Sequence, residues 1–266
     1  MLKFISFGSG SSGNCYYLET ESSGIIIDLG IAQRLFKKRV HEYGINLNKI
    51  EGILVTHDHT DHVKSVGTIS SAYGLPVFAA DKVHSRIVSN FMIRNKVPKE
   101  LERRISCGES FFIGPFQISA VTVPHDSMLN YGYSIKANGT KICIFTDVGH
   151  FTEEIASLVS DADYLVIEAN YDADMLKSGP YPDYLKKRIS SGNGHSENKQ
   201  TAAFLSENVS NNLKHVWLCH LSQENNRPEI AVETVSKFLN PMQTPGRTIK
   251  IDALPRKEAA GPFFLV

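Results

Sequence analysis

Six consecutive residues, His57-Asp58-His59-Thr60-Asp61-His62, place three imidazoles and two carboxylates directly after the apolar run Gly52-Ile53-Leu54-Val55-Thr56. A buried strand that ends in a short polar loop gives several side chains a rigid base from which to converge on one point. Imidazole nitrogen mixed with carboxylate oxygen is the donor set that suits zinc and other first-row divalent ions. Three later residues stand in the same kind of position. His125 follows Ile118-Ser119-Ala120-Val121-Thr122-Val123-Pro124, Asp147 follows Ile142-Cys143-Ile144-Phe145-Thr146, and His220 follows His215-Val216-Trp217-Leu218-Cys219. Any one of them alone is an ordinary loop residue. After the histidine loop, all three together read as distant parts of one metal site. A purely structural metal would favour a closed, Cys-rich, four-coordinate site, which this is not.

Elements must exist to carry these residues to one place. Strands are expected over 2–7, 14–19 and 24–28, joined by Gly/Ser-rich turns, then a helix over 31–43 and the strand 52–56 that bears the histidine loop. A helix over 62–73 and a strand over 75–80 follow, and residues 81–104 are helical in part and locally basic. The chain then restarts with strands at 110–113, 116–123, 131–136 and 140–146, a helix at 152–159 and a strand at 163–168. A helix at 196–209 with Ser196 as its N-cap, a strand at 215–219, a helix at 228–239 and a strand at 247–252 complete the pattern. Two strand-rich halves, each with helices, predict one α/β domain over 1–266 built as a four-layer αββα sandwich.

The hydrophobic fraction of 42% and charged fraction of 21% are those of an ordinary globular protein. Lys+Arg and Asp+Glu are both 28, so any surface for a polyanion has to be local. Cys15, Cys107, Cys143 and Cys219 are too few and too scattered for a disulfide framework, which points to a reducing cytoplasm. Cys143 and Cys219 lie inside apolar runs and read as small core residues. No signal peptide is expected, and no segment approaches the roughly 18 apolar residues of a membrane span.

With its ordered ligand pattern the chain resembles the metallo-β-lactamase superfamily: an Asp after an early strand (Asp28), H-x-H-x-D-H, a lone His, a lone Asp and a last His. The resemblance implies that His57, His59 and His125 hold one metal, that Asp61, His62 and His220 hold a second, and that Asp147 bridges them. It makes Asp28 a carboxylate behind the ligands that orients the histidine loop. Two divalent ions are implied, zinc first, with manganese or iron as alternatives. Asp58 receives no role.

Glu168-Ala169-Asn170-Tyr171 after a strand, Gly194-His195-Ser196 before a helix, and His220-Leu221-Ser222 look like the phosphodiesterase branch related to ribonuclease Z. That resemblance implies a Glu168–His195 pair that protonates a leaving alkoxide; Asp61, Glu168 and His195 are the candidate catalytic residues. The chain is similar overall to the WalJ/YycJ-type group, on Phe7-Gly8-Ser9-Gly10-Ser11-Ser12-Gly13-Asn14, Glu168-Ala169-Asn170-Tyr171-Asp172, Tyr181-Pro182, Leu185-Lys186 and Arg188-Ile189. Members of that group imply a 5′-to-3′ DNA exonuclease with a part in repair. Neither the tRNA-gripping arm of ribonuclease Z nor an inserted β-CASP domain is present.

The loop from Gly8 to Asn14 reads as either a plain turn or a phosphate cradle in which Ser9, Ser11, Ser12 and Asn14 contact substrate. Lys186, Lys187 and Arg188, together with Arg86, Arg94, Lys96, Arg103 and Arg104, are candidate DNA-backbone contacts or plain solvated faces. A small-molecule hydrolase acting on a cyclic phosphodiester, thioester or lactone is the alternative. A non-catalytic scaffold, a flavin-linked diiron protein and a β-lactamase are all disfavoured. Oligomeric state is not readable from the chain.

Overall fold

In the computed structural model, which describes residues 1–242 and 248–266, buried apolar strands form the frame of the fold. The first part runs β1 (Leu2–Gly8), β2 (Cys15–Glu19), β3 (Gly24–Ile27), α1 (Gln33–Glu42), β4 (Ile50–Leu54), α2 (Thr60–Val63), α3 (Val66–Tyr73), β5 (Val77–Ala79), α4 (Asp81–Ser89) and β6 (Glu102–Arg104). The second runs β7 (Ser110–Ile113), β8 (Phe116–Thr122), β9 (Tyr131–Ala137), β10 (Thr140–Phe145), α5 (Glu153–Val159), β11 (Tyr164–Glu168), α6 (Ala173–Ser178) and α7 (Asp183–Ile189). It closes with α8 (Asn198–Asn208), β12 (His215–Cys219), α9 (Pro228–Leu239), β13 (Lys250–Ala253) and β14 (Ala260–Leu265).

The strands form two seven-stranded sheets in the orders β14-β1-β2-β3-β4-β5-β6 and β13-β12-β11-β10-β9-β8-β7. Each sheet is antiparallel on one side and parallel on the other, β3-β4-β5-β6 and β10-β11-β12-β13 being the parallel runs. Period-two alternation sorts the second sheet's residues. Ile142, Ile144, Tyr164, Val166, Trp217 and Cys219 join the core with the first sheet, whereas Cys143, Phe145, Leu165, Ile167, Val216 and Leu218 pack beneath α5, α8 and α9. Trp217 is the pillar between the sheets, with ring centroids 4.9 Å from Phe4 on β1 and 5.0 Å from Phe263 on β14. On the other face of β1, Phe7 meets Phe36 of α1, whose buried Phe36 and Val40 stand one turn apart. The expected αββα layering is the observed one.

Several elements differ from the sequence reading. The helix expected at 62–73 begins at Thr60 and breaks at Lys64–Ser65. The break admits the chain after β3: Leu29 N–H donates to His62 O at 2.8 Å and Ser65 N–H to Leu29 O at 2.9 Å. Ser196 is not the cap of α8. Glu197 is, through a reciprocal capping box with Gln200, and Ser196 is buried against Glu168 instead. Strand β6, helices α6 and α7 and strand β14 had no counterpart in the sequence pattern; β14 pairs with the edge of β1. The strand expected at 247–252 is found as Lys250–Ala253, and its first residue, 247, lies outside the described residues. Cys15, Cys143 and Cys219 are buried, Cys107 is exposed, and all four are free. Among the described residues no helix is long and apolar enough to cross a membrane.

Candidate metal centre

Parallel strands deliver their last residues to one edge, and the chain must turn sharply there. Asp28 after β3, Asp147 after β10 and His220 after β12 all adopt left-handed backbone conformations, with φ of 56°, 57° and 53°. Such a conformation costs a non-glycine residue on the order of 1–3 kcal/mol, and it persists only where the surroundings impose it. The remaining positive-φ residue that is not glycine, among those described, is Asn138, in the Asn138-Gly139 turn between β9 and β10. The strain is concentrated where the polar residues leave the sheets.

These turns, the histidine loop after β4 and the loop after β8 bring the expected residues together. The ligand-type atoms of His57, His59 and His125 lie within 4.8 Å of one another, as do those of His57, His62 and Asp147, and those of Asp61, His62 and His220. His62 Nε2 is 3.1 Å from Asp147 Oδ2 and 3.7 Å from Asp61 Oδ2; His220 Nε2 is 3.5 Å from Asp61 Oδ2; His125 Nε2 is 3.3 Å from His59 Nδ1 and 3.6 Å from Asp147 Oδ1. Ligands bound to one tetrahedral ion at roughly 2.0–2.2 Å stand about this far apart. His57 Nε2 and His220 Nε2 are buried with no hydrogen-bond partner among the described residues. The donor set fits divalent metal, and these bare nitrogens are what a metal would satisfy.

Hydrogen bonds fix which nitrogen faces the cluster. His62 Nδ1 donates to Asp28 Oδ2 at 2.7 Å, His220 Nδ1 to Glu168 Oε1 at 2.9 Å, and His125 Nδ1 to Gly194 O at 2.9 Å. Each of these leaves the Nε2 lone pair turned inward. Asp28 is itself held: its two oxygens accept the Thr56 N–H and hydroxyl, both at 2.8 Å, so the carboxylate braces the start of the histidine loop as well as His62. Gly30 makes this close packing possible, since a Cβ there would lie 1.6 Å from Asp61 O.

Burial opposes charge throughout, and neighbours answer it. Burial alone would lower His62, but Asp147, Asp28 and Asp61 outweigh it and push the imidazole well up. His57, facing burial and then His62, is driven well down. Burial would raise Glu168, yet His195 and His220 hold its carboxyl at about 2. His220 is pushed up to about 10 against burial by Asp147, Asp61 and Glu168, and His195 is raised against burial by Glu168 and Asp147. Asp147 and Asp61 are lowered in spite of burial, Asp147 chiefly by His220 and His62, Asp61 by His62 and His220. These carboxylates and imidazoles are the residues that would hold a divalent cation in place of their protons.

Glu168 is the hub beside the cluster. Its Oε1 accepts from His195 Nδ1 at 2.8 Å as well as from His220, while Oε2 accepts the backbone N–H of Val148 at 2.8 Å and of Ser196 at 3.1 Å. His195 is therefore oriented by a buried carboxylate next to the ligand set. The Gly8–Asn14 loop divides. Ser9 and Asn14 are buried: Ser9 Oγ pairs with Tyr16 OH at 2.8 Å and accepts His220 N–H at 3.1 Å, and Asn14 Nδ2 lies 2.9 Å from His62 Nε2. These two are turned towards His62, His220 and Tyr16 rather than outward; Ser11 and Ser12 are the exposed pair.

Several residues at the site carry no role in the sequence reading. Asp126 places Oδ1 3.3 Å from His125 Nε2 and accepts Arg188 Nε at 2.5 Å through Oδ2. Asn170 Nδ2 donates to His220 O at 2.7 Å, and Thr56 braces Asp28. Asp126 and Thr56 are signalled only by standing next to His125 and His57, and Asn170 only by its place in the Glu168-Ala169-Asn170-Tyr171 stretch. Asp58, without a role before, accepts from Arg86 Nε and from Met128 N–H, both at 3.4 Å, tying α4 to the loop after β8.

The profile of the beta-lactamase superfamily domain matches residues 25–215. Exodeoxyribonuclease YycJ of Bacillus anthracis is 32% identical over 90% of this chain and 89% of its own, and exodeoxyribonuclease WalJ of Streptococcus pneumoniae is 32% identical over 88% and 86%. The crystal structure of the metallo-β-lactamase fold protein YhfI from Bacillus subtilis superposes with a TM-score of 0.72 at 15% identity, covering 97% of this chain and 98% of that one, a likeness of fold. The chain belongs to the metallo-β-lactamase superfamily, as a metal-dependent hydrolase of the YycJ/WalJ group.

Proposed function

We propose that this chain hydrolyses phosphodiester bonds at DNA ends, as a 5′-to-3′ exonuclease with a part in repair, using two divalent ions. His57, His59 and His125 would hold one ion, Asp61, His62 and His220 the other, and Asp147 both; zinc is the first expectation, and manganese or iron suits the same donors. When bound, such a pair polarises water and neutralises charge on the phosphoryl oxygens. The observation that carries the phosphodiesterase reading is the Glu168–His195 contact of 2.8 Å beside the ligand cluster.

Glu168 fixes the His195 proton on Nδ1 and favours the imidazolium, so Nε2–H is available as a general acid. As the bond from phosphorus to the water oxygen forms and the bond to the departing 3′-oxygen breaks, His195 gives that oxygen its proton. The proton lost by water passes to solvent, from which His195 is recharged. Relatives named exodeoxyribonuclease support DNA as the polymer. Four free cysteines suit a cytoplasmic enzyme.

The test is digestion of duplex DNA labelled separately at each end, with Mn²⁺ or Zn²⁺ and Asp147→Ala as control. Stepwise loss from the 5′ end, absent in the variant, is the expected result. No cleavage by protein shown to be metal-loaded would overturn the DNA reading in favour of a small phosphodiester or ester.

A further inference from the structure

Beside His195 and His220 the surface sinks into a cavity of about 180 Å³. Ser11, Tyr181, Leu185, Arg188 and Ser222 line it together with His195. No carboxylate among the described residues lines it. Its donors are uncommitted. Arg188 hydrogen bonds among the described residues only through Nε, to Asp126, which leaves both terminal amino groups of the guanidinium free. Ser222 Oγ accepts twice from Asn225, through backbone N–H at 3.2 Å and Nδ2 at 3.3 Å, so its own proton remains to be donated. Arg256 stands behind, donating to Ser222 O at 3.2 Å. A fork-shaped cation with hydroxyl donors around a small cavity is a site for a phosphate monoester.

Resting on the exonuclease reading above, we propose that this cavity holds the 5′-phosphate and sugar of the terminal nucleotide. Arg188 is its phosphate contact, and Ser11 and Ser222 are its hydroxyl donors. The position explains the polarity. The wall formed by His195 is the leaving-group side, so the nucleotide whose 3′-oxygen departs lies in the cavity, and its far end is the 5′-phosphate. The size explains the product. At about 180 Å³ the cavity has room for a phosphate and a sugar rather than for a run of nucleotides. Cleavage then releases mononucleotides from 5′-phosphorylated ends.

The experiment has two arms on the metal-loaded protein. In the first, digestion rates are compared on duplexes with 5′-phosphate and 5′-hydroxyl ends. Wild type is expected to prefer the phosphate by about tenfold or more and to release mononucleotides, with R188Q reducing that preference towards unity. In the second, binding of 2′-deoxyadenosine 5′-monophosphate is measured by calorimetry against the 3′-monophosphate. R188Q, and Ser11→Phe filling the cavity, are each expected to weaken the 5′ isomer about tenfold or more and the 3′ isomer less. Equal rates on both ends, oligonucleotide products, or equal binding of the 5′ isomer by wild type and both variants would overturn the assignment. If no DNA is degraded but 5′-monophosphate binding depends on Arg188 and Ser11, the cavity's ligand class stands and only the DNA reading fails.

Discussion

Replacing Glu168 by Gln exchanges one carboxylate oxygen for NH₂ and, on the two-ion reading proposed above, should weaken the ion assigned to Asp61, His62 and His220 without touching the other. Oε2 accepts two backbone N–H groups, from Val148 and Ser196, whose direction the fold fixes. The Gln oxygen must occupy that place, so its NH₂ faces His195 Nδ1 and His220 Nδ1, both of which now donate. Relief requires each imidazole to move its proton to Nε2. For His220 that is the bare nitrogen facing the cluster. Burial would raise the Glu168 carboxyl, yet His195 and His220 hold it at about 2, so the carboxylate and the two imidazoles favour one another. Loss of such a supporting partner lowers metal affinity by about 10–100-fold. Loss of an oriented general acid lowers turnover by a further factor on the order of 10²–10⁴.

Competitive chelator titration of wild type and variant tests the two proposed ions separately, and turnover at saturating metal isolates the proton-transfer part. One binding step should weaken while the step assigned to His57, His59 and His125, none of which touches Glu168, stays as in wild type. Two unaltered binding steps with turnover within about threefold of wild type would refute the tautomer argument.

Asp28→Asn should weaken the same ion by about 10–100-fold through loss of the His62 Nδ1 acceptor, read in the same titration; an unchanged second step would count against it. Gly30→Ala should leave little folded protein, because its Cβ would meet Asp61 O at 1.6 Å; circular dichroism and urea unfolding check this, and wild-type stability would contradict it. His215 stacks on Trp217 at 3.9 Å, and burial lowers its pKa despite a 2.8 Å bond to Asp252. The fold therefore prefers the neutral ring, the unfolded chain takes up the proton first as pH falls through about 6.5, and stability is lost below that value. In chelator, His215→Phe should lose less stability than wild type between pH 7.5 and 5.5 in urea; an equal or larger loss would contradict the sign. His57→Ala and Asp147→Ala should each abolish hydrolysis, measured with a nitrophenyl phosphodiester; retained turnover in either would remove that residue from the catalytic set.

The ligand-type residues were legible because each is local: a polar residue directly after an apolar run marks the end of a buried strand, and parallel strands put such ends on one edge. Layering was legible for the same reason, through period-two patterning in long strands such as β8, β9 and β10. The short elements escaped. Three residues of β6 give too little pattern to read, α6 and α7 are short helices interrupted by Gly179-Pro180 and Pro182, and β14 is defined by its pairing with β1 across the whole chain. The roles of serine and asparagine were also beyond the sequence. Ser9, Ser11, Ser12 and Asn14 are chemically alike in one loop, and only the packing of Tyr16, His62 and His220 turns Ser9 and Asn14 inward and leaves Ser11 facing the cavity. Asp126 and Arg188 are ordinary charges on the page until β8 and α7 set them 2.5 Å apart. Sequence determined which atoms can bind metal, because donor chemistry belongs to the residue. Tertiary structure decided what those atoms are aimed at, because direction belongs to the packing around them.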